Sequence, residues 1–179
     1  PLSHGQKAMW VQHIVAPMSI QNPVYAVRIY SEFDAVTLER ILKVLTKWHP
    51  TLRTTFELQE GEPVQIVHET FDVFFRAVDV KDMSDGQLRK YMNDEAGRAY
   101  NLETGPLFRV YQLSRSSDDH ILLIAAHHIV IDLWSMAIIL NQLTVLYRAV
   151  MNAKVEIEDL ESPVKYKYTD YVRWQSEML

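Results

Sequence analysis

The sequence predicts a layered α+β or mixed α/β domain, a mostly antiparallel sheet flanked by helices. Three observations carry this. Leu38, Ile41, Leu42, Leu45 and Trp48 form a stripe opposite Glu39, Arg40, Lys43 and Lys47, the pattern of a helix with one face on a core. Turn residues bound short runs rich in β-branched and aromatic side chains. Two apolar segments, residues 107–113 and 121–127, flank a polar Ser/Asp loop that suits an antiparallel connection. Helices alternating with such strands bury their apolar faces by stacking in layers.

The elements follow in order. Ser3 can accept the free amide hydrogens of a first turn, and Met9, Trp10, Val11 and Ile14 recur at mixed helical spacings, which predicts a helix over residues 4–14. Pro17 and Pro23 punctuate a loop before a strand over residues 24–30. Asp34 caps the amphipathic helix and Pro50 ends it. Residues 54–58 and 64–67 read as a hairpin with Gly61 in the turn, and residues 74–80 as a further strand. Ser84 and Gln87 have capping-box spacing before a helix reaching about residue 99. After Gly105-Pro106 come the two apolar strands; the second is almost continuously apolar, which places it centrally with both faces covered. A long helix over residues 134–151 has Asn141, Thr144, Arg148 and Asn152 as its polar line, and a linker at residues 165–168 leads to a last helix from about Thr169. There is no internal repeat and no low-complexity tract.

Composition narrows the function classes. In 179 residues, 48% apolar and 23% charged content gives enough material for a real core and excludes disordered and collagen-like chains. The 18 basic and 23 acidic residues are interspersed and sum to -5, so no basic face invites nucleic acid. The absence of cysteine removes disulfide frameworks and thiol nucleophiles and fits a reducing compartment. No apolar run nears the roughly 20 residues of a membrane helix, and no signal peptide opens the chain; the expectation is a cytoplasmic protein without a membrane partner. Without an initiator Met, and stopping at Met178-Leu179 within a helical pattern, the chain is expected to be an excised piece.

The chemistry concentrates at Ala126-His127-His128-Ile129-Val130-Ile131-Asp132-Leu133-Trp134-Ser135, where two imidazoles end a buried strand and an acid precedes a helix. His, His and Asp are good metal ligands, but adjacent residues on an extended strand face opposite ways, so no metal is expected unless the strand breaks there. A purely structural alternative also stands, in which both histidines are satisfied by core hydrogen bonds and Asp132 caps the following helix.

His127-His128-x-x-x-Asp132-x-Trp134-Ser135 resembles the HHxxxDGWS motif of the condensation domains of nonribosomal peptide synthetases. Four more segments resemble the same family in the same order: residues 2–10 its opening motif, residues 48–56 RHExLRTxF, residues 100–109 FDLxxGPLxR, and residues 168–175 YxDYxxWQ. The resemblance implies a chloramphenicol-acetyltransferase-like fold whose two halves enclose a tunnel. Residues 1–179 would be the N-terminal half, with 164–179 leading toward an absent C-terminal subdomain. It also implies an acyltransferase that joins a carrier-bound acyl or peptidyl thioester to the amine of a carrier-bound aminoacyl group. No cofactor would be bound directly, the substrates arriving on the 4'-phosphopantetheine of donor and acceptor carrier proteins.

By the same resemblance His128 is the positioning or general-base residue, with His127, Asp132 and Ser135 the other candidate catalytic positions. His127 is expected to face away from the tunnel and bond the backbone. Asp132 is expected to pair with a buried arginine, for which Arg53 is the candidate. Leu133 and Trp134 would shape the tunnel, Trp134 packing at the helix start, while Trp48, Tyr168, Tyr171 and Trp174 are expected in core or interface packing. Leu133 stands where the family has glycine, Trp48 and Pro50 replace its Arg and Glu, and Ala8 replaces a larger or basic residue. Leu133 leaves open a catalytically silent module that recruits a carrier protein or tailoring enzyme, and a stand-alone HHxxxD acyltransferase remains a further alternative. Epimerase and heterocyclisation domains fit the motif order less well. The fragment alone is expected to be inactive, and its uncovered apolar surface to drive self-association.

Overall fold

The computed structural model describes residues 1–16, 20–153, 155–158 and 160–178. Pro17 and Leu179, to which the sequence assigned a loop and a helical terminus, lie outside the described residues. The elements run α1 His4–Val15, β1 Val24–Ile29, α2 Ala35–Trp48, a 3₁₀ turn Pro50–Arg53, β2 Thr54–Gln59, β3 Glu62–Val67, β4 Phe74–Asp79, α3 Asp85–Ala96, β5 Phe108–Ser116, β6 Asp119–Ala126, α4 Leu133–Ala153 and α5 Tyr168–Met178.

Caps fix the helix starts. Ser3 and Ser84 each accept from the amide three residues on, Gln6 and Gln87, whose side chains return to the serine amides. Asp34 Oδ2 accepts from Thr37 N at 2.6 Å, and hydrogen bonding from the Thr37 side chain, then from its amide, holds the carboxyl below the usual carboxylate range.

Four strands form one sheet in the order β1-β6-β5-β4, while β2 and β3 form a separate hairpin. β6 pairs antiparallel with β1 and β5, and β4 joins β5 in parallel across the α3 connection. The strand pairings are thus mostly antiparallel, and the parallel pair is possible because α3 carries the chain back. The loop expected between β5 and β6 shrinks to Ser117-Asp118, since the ladder continues through the polar residues at its solvent end.

Both faces of β6 are covered, which accounts for its continuous apolar reading. Leu122, Ile124 and Ala126 share a core with Phe108 and Val110 of β5, Leu38, Ile41, Leu42 and Leu45 of α2, and Met136, Ile139, Leu143 and Leu146 of α4. Leu123 points to the other side, where Tyr111, Leu113 and Val80 meet Leu88 of α3. By length and composition α4 is also apolar enough to cross a membrane, yet here one stripe of it packs on α2. In α1 the buried face differs from the apolar residues noted in the sequence: Val11 and Ile14 are exposed, whereas Gln6 is buried and Met9, Trp10 and His13 are half-buried.

Behind the sheet, Arg109 is a buried cation, and among the described residues no salt bridge joins it to a carboxylate. Its guanidinium donates to the carbonyl oxygens of Arg98 and Ala99 at 2.9 and 2.7 Å and lies 3.9 Å from the Tyr100 ring. Those carbonyls follow the end of α3, so the arginine ties the helix exit to the middle of the sheet.

Two glycines occupy the left-handed region for different reasons. Glu60 and Gly61 (φ 53° and 85°) make a two-residue turn whose twist matches the β2–β3 strands, and a Cβ at Gly61 would meet open space. At Gly105 (φ 66°) a Cβ would lie 3.0 Å from the Phe71 ring. Gly61→Ala should therefore cost only the backbone term, about 1 kcal/mol, and Gly105→Ala about 2 kcal/mol or more. Urea denaturation midpoints check this; equal losses would show that Phe71 yields without strain.

Candidate active site

β6 ends at Ala126, one residue earlier than its apolar run, and residues 127–132 form a turn into α4. Every backbone amide of residues 126–130 has an acceptor. Ala126 N donates to the Pro23 carbonyl, His127 N to the Leu107 carbonyl and Val130 N to the His127 carbonyl, at 3.1, 2.8 and 3.1 Å. His128 N donates to Asn22 Oδ1 at 3.0 Å and Ile129 N to His127 Nδ1 at 3.1 Å. Ile129, Val130 and Ile131 are buried, so the turn is plugged into the core beneath the two histidines.

The rings part at this turn. His127, only 1% exposed, points inward, edge-on to Tyr100 and to His13 of α1, and its Nε2 lies 3.2 Å from His13 Nδ1. Burial, with smaller contributions from His13 and His128, pushes its pKa down to about 4, and the ring is neutral at physiological pH. His128 is half-buried and faces a cleft of about 520 Å³. Its Nδ1 is buried without a hydrogen-bond partner, which leaves Nε2 as the nitrogen open to the cleft.

Asp132 is exposed and caps α4. Its Oδ1 accepts from Ser135 N at 2.7 Å, its carbonyl accepts from Met136 N at 2.9 Å, and the bonds from Ser135, with the nearby His128, hold its carboxyl below the usual range. The expected ion pair to Arg53 is a correction: among the described residues no salt bridge joins them. Arg53 donates instead to the His68 carbonyl oxygen, and its Nε is buried without a partner. The 3₁₀ turn leads into β2, and the arginine reaches across to the residue that follows β3. Leu133 and Trp134 were expected to shape a tunnel between two halves, of which this chain is one. They stand 75% and 77% exposed at the start of α4 and do not line the cleft, whereas Ser135 does.

The start of α1, the 3₁₀ turn, the first turns of α4 and residues 164–171 wall the cleft. Among the aromatics, Trp48 is core and its Nε1 donates to the Leu160 carbonyl at 3.4 Å, but Tyr171 and Trp174 are largely exposed. Tyr168, Tyr171 and Trp174 form a file of tilted rings along α5, and the first two line the cleft. α5 is moored to the first turn of α1: the Ser3 and Tyr168 hydroxyls are 2.8 Å apart, and His4 N donates to Gln175 Oε1 at 3.0 Å.

Sequence reasoning missed two imidazoles. His49 lines the cleft opposite His128 with its Nε2 2.6 Å from Gln142 Oε1, and burial lowers its pKa against the opposing pull of that bond. It lay within the second motif but carried no signal of its own. His13 was legible as a helical partner of Gln6 and Met9, three and four residues apart, had the polar stripe been followed. Among the described residues no group of three or more His, Cys, Asp or Glu side chains is arranged to hold a metal.

The condensation domain family matches residues 1–179, the whole length. The chain belongs to the condensation domain family. This condensation-domain chain is 33% identical over 184 residues to a linear gramicidin synthase of Brevibacillus parabrevis, matching all of this chain and 2% of that protein. Among solved structures it resembles the X-domain from teicoplanin biosynthesis (TM-score 0.86, 22% identity, 99% of this chain and 38% of that one). It also resembles the starter condensation domain of rhizomide synthetase RzmA (TM-score 0.85, 19% identity, 98% and 44%). The chain thus spans less than half of those solved chains and a small part of the synthetase. The chloramphenicol-acetyltransferase-like fold expected from the sequence is the fold of these condensation domains.

If Asp132 acts as the cap, Asp132→Asn, which keeps an accepting oxygen, should lose only a few tenths of a kcal/mol, and Asp132→Ala about 1 kcal/mol. Thermal denaturation of both variants decides; equal losses would contradict the capping role.

Proposed function

We propose that this chain supplies the histidine-bearing wall of a condensation site that forms an amide bond in nonribosomal peptide synthesis. The donor is a carrier-bound acyl or peptidyl thioester and the acceptor a carrier-bound aminoacyl amine. The observation that carries the reading is His128, fixed on a pinned turn with Nε2 open to a largely apolar cleft. The amine nitrogen attacks the thioester carbonyl carbon; the tetrahedral intermediate then loses the amine proton and expels the sulfur, which leaves as a thiol. An unprotonated amine is already a good nucleophile toward a thioester, so the protein's task is to hold the two tethered chains together and give that proton somewhere to go. Nε2 of His128 can accept it or hold the amine in line, and Ser135, on the same cleft, offers a hydroxyl nearby. Asp132 acts through the fold, setting the direction in which α4 leaves the turn. Phosphopantetheine belongs to the carrier proteins in this reading and needs no resident site here.

The solved chains of this fold are more than twice as long, which supports a second half that completes the cleft and a chain that is inactive on its own. A second reading rests on Leu133 and Trp134, which make an apolar exposed pair at the head of α4. The teicoplanin X-domain has been solved in complex with OxyB, and a recruiting module on this scaffold would use such a patch.

In the full-length protein, His128→Ala should lower acyl-aminoacyl product formation by about 10²-fold or more, measured with loaded carrier proteins. Equal and negligible turnover by both proteins would leave the recruiting module. The 179 residues alone should give no product, and robust turnover by them would contradict the need for a second half.

A further inference from the structure

We propose that His13 is a positioning residue for His128, acting through a relay of two neutral imidazoles that locks the motif turn to α1. The relay is fixed by donors and acceptors. Ile129 N carries a hydrogen and lies 3.1 Å from His127 Nδ1, so that nitrogen must present its lone pair. The proton of a neutral His127 is then on Nε2, which donates to His13 Nδ1 at 3.2 Å. His13 in turn holds its own proton on Nε2. One chain of hydrogen bonds thus runs from α1 through the first motif histidine to the amide that follows His128.

Geometry places His13 for this role. Gln6, Met9 and His13 fall on one face of α1; the first two line the cleft, and His13 reaches beneath its floor to the buried ring. The rings meet edge to face with centroids 5.1 Å apart, and Tyr100 closes the other side of His127 at 5.5 Å.

The same bonding makes the lock sensitive to acid. The groups facing His127 are His13 from α1, His128 from its own turn and Tyr100 from the loop before β5, with Arg109 stacked on the Tyr100 ring. Among the described residues none of these groups is a carboxylate, so a proton on His127 meets no counter-ion there. A protonated His127 would also set an N–H against the Ile129 N–H, and a protonated His13 would set one against His127 Nε2–H. Burial lowers the pKa of both rings from 6.5, His127 to about 4. Their folded-state affinity for protons is thus below that of the unfolded chain. The stabilisation is complete above pH 6.5 and is lost as pH falls toward those depressed values.

The effect on turnover rests on the proposed role of His128; the proton positions do not. Asn places its side-chain oxygen near where a histidine has Nδ1 and cannot titrate, whereas Leu fills the space without accepting. In the full-length protein His13→Leu should lower turnover at least about tenfold at neutral pH, a misplaced group costing that much or more. His13→Asn should stay within about twofold of the parent and extend activity to lower pH. Nitrogen-15 spectra of the histidine-labelled full-length protein should show His127 with a bare Nδ1 and a protonated Nε2 at neutral pH. The proposal is overturned if His127 carries its proton on Nδ1, if His13→Leu matches the parent across the pH range, or if Asn fails as Leu does. If His128→Ala keeps full turnover while the spectra are as expected, it is the role proposed for His128 that fails and the hydrogen-bond relay that stands.

Discussion

The structure depends on β6 being buried on both faces. A strand with α2 and α4 on one side and α3 on the other has no solvent for its backbone, so the amides at its end need acceptors from the protein. They find them in Pro23, Leu107, Asn22 and the His127 ring itself. The turn is consequently held from three directions: by the loop before β1, by the segment entering β5, and from within. An imidazole on such a turn inherits the rigidity of the sheet, which a loop residue would lack.

Much of this was legible because it is local. The stripe from Leu38 to Trp48, the Ser84/Gln87 spacing and the alternation through residues 107–127 each encode their element within a few turns of chain, and the structure contains α2, the α3 cap and the β5–β6 pair. The site was harder to read where it depends on contacts across the sequence. Nothing near Arg53 tells that it will meet the His68 carbonyl, and the assignment to Asp132 took opposite charge as a sufficient reason for proximity. An extended continuation through His127 would have aimed the histidines at opposite faces; the turn separates them by another route, one inward and one to the cleft. The parallel partner of β5 could not be chosen from periodicity, since β4 reads alike in either direction.

The imidazoles show how environment divides identical side chains. His13, His49 and His127 are all pulled toward the neutral form, chiefly by burial, so they serve as directional hydrogen-bonding groups. His128 differs in having a nitrogen open to the cleft and in sitting near a carboxylate that itself stays ionised. Neither the doubled histidine nor its spacing distinguishes these roles; the partners that each ring nitrogen finds do.

Ser3 has one hydroxyl and two obligations. It receives the Gln6 amide that begins α1 and touches the phenol from which α5 hangs. The outer wall of the cleft is thus suspended from a helix's opening turn, so fraying at that one point would unseat the wall and unbutton the stripe behind it together. Displacement of the outer wall and fraying of α1 are in this way linked through one hydroxyl.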